Sequence, residues 1–140
     1  AVLSPEVKKD ISDAYKALRV KYKEIAVQYA NQSLFAPSTD SVVRKRVIND
    51  FINADSLIAV EILETNDKYP TDDKLKSLGK TLYLINSSLH PTDTSVFKQY
   101  NVPFKLFYVG PTGHYPMIEN SKEFNKELEQ VIKEIGKSKE

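Results

Sequence analysis

Two histidines, His90 and His114, and the adjacent acids Asp72 and Asp73 are the residues of this chain best suited to acid–base or metal chemistry. Their spacing argues against both. Two imidazoles grip a metal when they leave one face of a helix, as in a His-Glu-x-x-His run, and no such run is present. His90 falls in a loop near Asp93, and His114 at a turn near Glu119. Each duo offers two ligands where a metal site needs three or four, so surface and turn roles are expected. Adjacent residues on a helix point apart. Asp72 and Asp73 therefore suit the positive end of a helix dipole better than catalysis.

Other chemistry is excluded more firmly. The chain has no cysteine, which removes disulfides, thiolate catalysis and cysteine-ligated metals. A Gly-rich phosphate loop followed by Lys and a G-x-S-x-G elbow are both absent. An enzyme is not expected, and no cofactor is implied. Twenty Lys plus Arg face nineteen Asp plus Glu for a net charge of +1, without long blocks of either sign, so nucleic acid is not an expected partner. No run of about 18 apolar residues exists to span a membrane. The triplets Asn31-Gln32-Ser33 and Asn86-Ser87-Ser88 are N-glycosylation acceptors only in a host that glycosylates. Opening on Ala1 is compatible with a mature exported protein, a trimmed chain or methionine removal, and the compartment expected is periplasmic or extracellular.

Hydrophobic residues make up 41% and charged residues 28% of 140, which is ordinary globular usage. One domain over 1–140 is expected, divided into a helical N-terminal extension at 1–53 and a core at 57–136. Ser4 and Pro5 form a helix start. Beyond them Ile11, Leu18 and Ile25 make one row at heptad spacing, with Tyr15, Tyr22 and Tyr29 beside it. That stripe packs along its own domain, or the tyrosines meet a protein partner or a second copy of the helix, since a tyrosine ring buries while its hydroxyl stays wet. Pro37 and its Ser/Thr/Asp neighbours break the helix. A second helix is expected at 41–53, with Arg44, Lys45 and Arg46 on a solvated face.

From Leu57 the pattern changes. "LIAVEIL" (57–63), "TLYLI" (81–85) and "FKLFYV" (104–109) read as strands, the first two covered on both faces. "TDDKLKSLG" and "HPTDTSVFKQY" read as the helices between them, with Gly79 as a C-cap and Thr92 or Asp93 as an N-cap. Such alternation implies crossovers and a partly parallel sheet. "GPTG" (110–113) is expected to turn the third strand into an edge strand, "HYPMIE" (114–119), where Pro116 cannot donate to a ladder. A closing helix runs from Asn120, whose side chain can cap with Glu123 reaching back, to Gly136. "KSKE" follows as a solvated tail.

The second half thus has the element order of the minimal thioredoxin fold, and "YNVPFKLFYVGPTG" resembles the thioredoxin family where a helix leads into a cis-proline, a strand, a turn and an edge strand. The resemblance covers about 57–136. It implies an α/β fold with a mixed β-sheet flanked by helices, preceded here by the long N-terminal helix and the second helix. It puts Pro103 at the cis-proline position, after Val102. The stretch matching the family's Cys-X-X-Cys motif, "ETNDKYPTDDK", has no sulfur, so disulfide exchange is not implied. What it does imply is a noncatalytic face that holds a protein or peptide by backbone pairing, rimmed by Asn66, Lys68, Tyr69, Val102 and Pro103. A second function fits the long first helix, namely an extracytoplasmic PAS- or Cache-like sensory domain whose antiparallel sheet cups a small ligand.

Overall fold

The structure is a computed structural model that describes residues 4–137. It is a mixed α/β protein with α1 (Pro5–Ser33), α2 (Ser41–Asn53), α3 (Ser56–Asp67), α4 (Thr71–Lys76), β1 (Leu82–Ser87), α5 (Ser95–Gln99), β2 (Phe104–Val109), α6 (Pro116–Glu119) and α7 (Ser121–Lys137). Two compact units emerge, one of Ala1–Ser33 with Lys45–Tyr69 and the other of Leu34–Arg44 with Pro70–Glu140. Apart from Lys137, which ends α7, the expected tail at 137–140 lies outside the described residues. Among those residues no helix is long and apolar enough to cross a membrane.

In the first unit α1 begins where Ser4 Oγ accepts from the Val7 N–H at 3.3 Å, and it kinks at Lys21, whose backbone is non-helical. The segment 57–63 is helical, which corrects the first expected strand. A short apolar run reads equally as a buried strand or a helix. Asp55 decides between them: its Oδ1 accepts the N–H groups of Leu57 and Ile58 at 2.9 and 3.1 Å and so caps α3. Leu, Ala and Glu then carry the helix forward.

α1 and α3 pack antiparallel, because ascending positions on one meet descending positions on the other. The Tyr15 hydroxyl donates to Asp67, Arg19 pairs with Glu64 at 2.6 Å, and Tyr22 (7% exposed) and Ala26 pack with Val60 (0% exposed). The tyrosine row is therefore split. Tyr22 lies in its own unit's core with Tyr15 packed against it, while Tyr29 is 55% exposed.

In the second unit β1 and β2 form a two-stranded parallel sheet, from Leu82 opposite Phe104 to Ser87 opposite Val109. These are the second and third expected strands. The larger mixed sheet is corrected, because its first strand is α3 and its edge strand is the turn of helix α6. Pro116 opens that turn at a first-turn position, where a missing N–H costs nothing. Val102–Pro103 is trans, and the cis bond lies at Gly110–Pro111, so no cis-proline face forms at Pro103.

The role of Pro103 comes from the helix before it. Val102 N–H donates to Phe97 O (2.8 Å) and Asn101 N–H to Lys98 O (3.2 Å), with Asn101 at φ 53°, which is a Schellman ending of α5. Proline commonly follows such an ending because it cannot continue a helix. Its carbonyl then accepts from Leu82 N–H at 2.9 Å and opens the ladder.

Three further contacts hold helices onto this unit. The Tyr100 hydroxyl donates to Asp72 at 2.9 Å, linking α5 to α4. Lys105 on β2 and Tyr83 on β1 both reach Glu134 on α7. Asn120 Oδ1 accepts from Glu123 N–H at 3.3 Å and caps α7, as expected. The helix-end residue of α4 is Ser77, two positions before Gly79.

Two predictions follow from the α1–α3 contact. Tyr22→Ala empties the space beside Val60 and should lower stability by about 3 kcal/mol or more in urea unfolding. The hydrogen bond to Asp67, with burial second, pushes the Tyr15 phenol up to about 12. In an ultraviolet tyrosinate titration Tyr15 should ionise late, and Asp67→Asn should return it toward the ordinary value of about 10.

Candidate functional site

A parallel pair has one end where both strands finish at their carboxyl termini, and crevices at that end are the usual ligand sites of open α/β sheets. Here a cleft of about 450 Å3 lies beside the end of β1. Ile85, Asn86 and Ser87 line it from the strand, Leu89 to Thr92 from the following loop, and His114, Pro116 and Met117 from the segment after β2. Consecutive strand residues point to opposite faces of a sheet. A cleft touching three in a row therefore lies at the strand's edge or end, not on one face.

The edge is unpaired. Leu82 N–H donates to Pro103 O, and Ser88 N–H to Val109 O at 3.1 Å, so the even-numbered residues of this stretch face β2. By the alternation of the ladder, Tyr83, Ile85 and Ser87 turn their backbone groups outward. No third strand pairs with either edge among the described residues.

Each wall is held from behind. Asn86 Nδ2 donates to Thr92 Oγ1 at 2.7 Å, and Thr92 N–H donates to the Tyr108 hydroxyl at 3.0 Å, so the loop is fastened to both strands. The Thr92 hydroxyl, and then its N–H, hold the Tyr108 phenol below its ordinary value. Ser87 Oγ accepts from Leu89 N–H at 3.2 Å.

The opposite wall rests on the buried loop that carries Leu34, Phe35, Ala36 and Thr39. His114 N–H donates to Leu34 O at 2.8 Å, and the Thr39 hydroxyl donates to Glu119 Oε2 at 2.7 Å. Arg44, expected on a solvated face, closes this loop: its Nη2 reaches Ala36 O at 2.6 Å, its Nε reaches Thr39 O at 3.1 Å, and its guanidinium lies 4.8 Å from the Phe35 ring centre. Lys45 and Arg46 remain exposed.

The residues expected to rim a peptide face belong to both units. Val102 (buried) and Pro103 (exposed) precede β2 in the second unit. Asn66, Lys68 and Tyr69 end α3 or follow it in the first. Asn66 and Tyr69 line an open groove on α3 with Ile58, Glu61, Ile62 and Thr65. Lys68 lines a different cleft, shared with Tyr15, Glu64 and Asp67. The residues that sequence reasoning missed are Ile85, Asn86, Ser87 and Thr92. Their signal was the change from apolar to polar at "INSS", where a strand of a parallel pair ends at its carboxyl terminus.

Compared with known protein families, curated proteins and solved structures, the chain finds no match.

Gly113 tests how the His114 wall is seated. A Cβ there would stand 2.6 Å from Leu34 O, 2.7 Å from Glu119 Oε1 and 2.9 Å from Thr39 Oγ1, all too close. Gly113→Ala should cost about 1–3 kcal/mol through overpacking, measured by chemical unfolding, and should move the Thr39 and His114 amide resonances.

Proposed function

We propose that the protein is a noncatalytic binding domain that takes an extended segment of a protein partner as an added strand along β1. The observation that carries this reading is the unpaired outer edge of β1 beside an open cleft. Outward N–H and C=O groups of a strand are met by another backbone, which makes an extended peptide the occupant with matching chemistry. A third strand would extend a sheet that has two among the described residues. Leu89, Pro91, Pro116 and Met117 give the incoming strand apolar side-chain contacts, while Asn86 and Thr92 supply polar ones.

The thioredoxin-like reading of the fold belongs to the same proposal. Its support is the β1–α5–β2 unit with α7 contacting both strands. The binding residues move from the expected rim to Ile85, Asn86 and Ser87. A dimer through Tyr15, Tyr22 and Tyr29 is not carried forward, because Tyr22 already packs within its own unit. The sensory-domain alternative wants an antiparallel sheet, and the parallel β1–β2 pair does not favour it.

Peptides selected from a displayed random library should share an alternating apolar pattern and protect the Tyr83, Ile85 and Ser87 amides from hydrogen exchange. Ile85→Pro removes an outward donor and leaves the ladder bonds of its neighbours, so it should weaken binding tenfold or more, at about 1.4 kcal/mol per decade. Ile85→Thr, which keeps the outward N–H, should bind more tightly than Ile85→Pro. Undiminished binding by a folded Ile85→Pro variant would sink the reading.

A further inference from the structure

The histidines left without a role in the sequence both line the cleft. The chain has two, His90 and His114, and the crossover between β1 and β2 brings both to its lining. No Lys, Arg, Asp or Glu side chain shares that lining. Its remaining polar groups are the Asn86 amide and the Ser87 and Thr92 hydroxyls, with apolar surface around them. The His114 ring stands edge-on to Tyr115, with centroids 5.2 Å apart. Among the described residues no three metal-ligating side chains come together, so the pair is not part of a closed metal site.

We infer that His90 and His114 form a carboxylate-recognising pair at the end of the β1 cleft. A cleft whose ionisable side chains are two imidazoles has no carboxylate in its lining to repel an acid and offers N–H donors to one. The crevice at the carboxyl end of a strand is also where an added segment runs out of backbone partners, and a terminal carboxylate placed there gains charge-assisted hydrogen bonds. A free small organic acid offers the same group. The inference rests on the strand-addition reading only for the source of that carboxylate.

Acidic and phenolic groups on the neighbouring elements are engaged elsewhere or turned aside. Asp93 accepts from Ser95 N–H at 2.8 Å, Tyr108 is held by Thr92, and Glu119 takes the Thr39 hydroxyl through Oε2 while its Oε1 lies buried beside Gly113. Each imidazole carries an N–H that can donate to a carboxylate oxygen.

The test is a nuclear magnetic resonance titration of the full chain, reading the imidazole signals and the Tyr83, Ile85 and Ser87 amides separately. The probes are N-acetyl-alanyl-leucine as free acid, its C-terminal amide, acetate and zinc chloride. The free acid should move both imidazoles, and the amide should not move them. The double variant H90Q/H114Q, altered at two exposed positions and read from its amide signals, should bind the free acid no more tightly than the amide, while H90K/H114K should keep the preference for the acid.

Amide shifts without ring shifts would leave strand addition standing and overturn the carboxylate pair. Ring shifts with both acetate and the dipeptide acid, without amide shifts, would keep the carboxylate pair and overturn strand addition. Ring shifts produced by zinc and by neither acid would overturn the inference in favour of a metal.

Discussion

From Leu82 opposite Phe104 to Ser87 opposite Val109 the two strands run in the same direction, and a tight turn cannot join strands so arranged. The chain must leave the end of β1, travel back along the sheet and re-enter at its beginning. Residues 88–103 make that return. The loop that carries His90 and Thr92 is the outgoing part, and α5 with its Schellman ending is the returning part. Pro103 halts the helix where β2 must start. The end of β1 is thereby left bordered by two segments distant in sequence, one leaving that strand and the other leaving β2. A cleft with residues from both is a consequence of the parallel direction.

The first unit depends on a different constraint. α3 is apolar on more than one side, and its inner side is matched to α1 by size and by charge. Val60 meets Tyr22 and Ala26 at the centre, with the Arg19–Glu64 pair and the Tyr15–Asp67 bond toward one end. Its outer side keeps Ile58 and Ile62 at 57% and 62% exposure, with Tyr69 just beyond the helix at 55%. A helix apolar all round ordinarily lies inside a larger body, and this distribution of apolar residues is what made 57–63 look like a strand covered on both faces. The polar feature that separates the two readings is Asp55, a cap just ahead of the apolar run.

Legibility varied with how local the deciding interaction was. The α1 start at Ser4 and Pro5, the α2 span and the Asn120 cap depend on neighbours within four residues, and each was readable. The β1 and β2 runs carried enough β-branched and aromatic residues to be found. Pro116 was ambiguous because one residue suits both an edge strand and a first helical turn, and only the Thr39–Glu119 contact and the loop beneath it show which surroundings it has. The cleft was the least readable feature. Asn86 and Thr92 are near in sequence, but nothing local places His114 across from them.

Composition and local pattern determined by themselves that this is a mixed α/β chain without thiol chemistry, with two N-terminal helices, a helix-linked pair of strands and a capped closing helix, because each of those depends on residue type and short-range hydrogen bonding. Tertiary structure decided that α3 packs on α1, that the sheet has two strands among the described residues, and that His90 and His114 line one cleft. Those outcomes depend on which surfaces meet across dozens of residues of chain, and the free energy of such meetings belongs to the pair of surfaces and is written in neither segment alone.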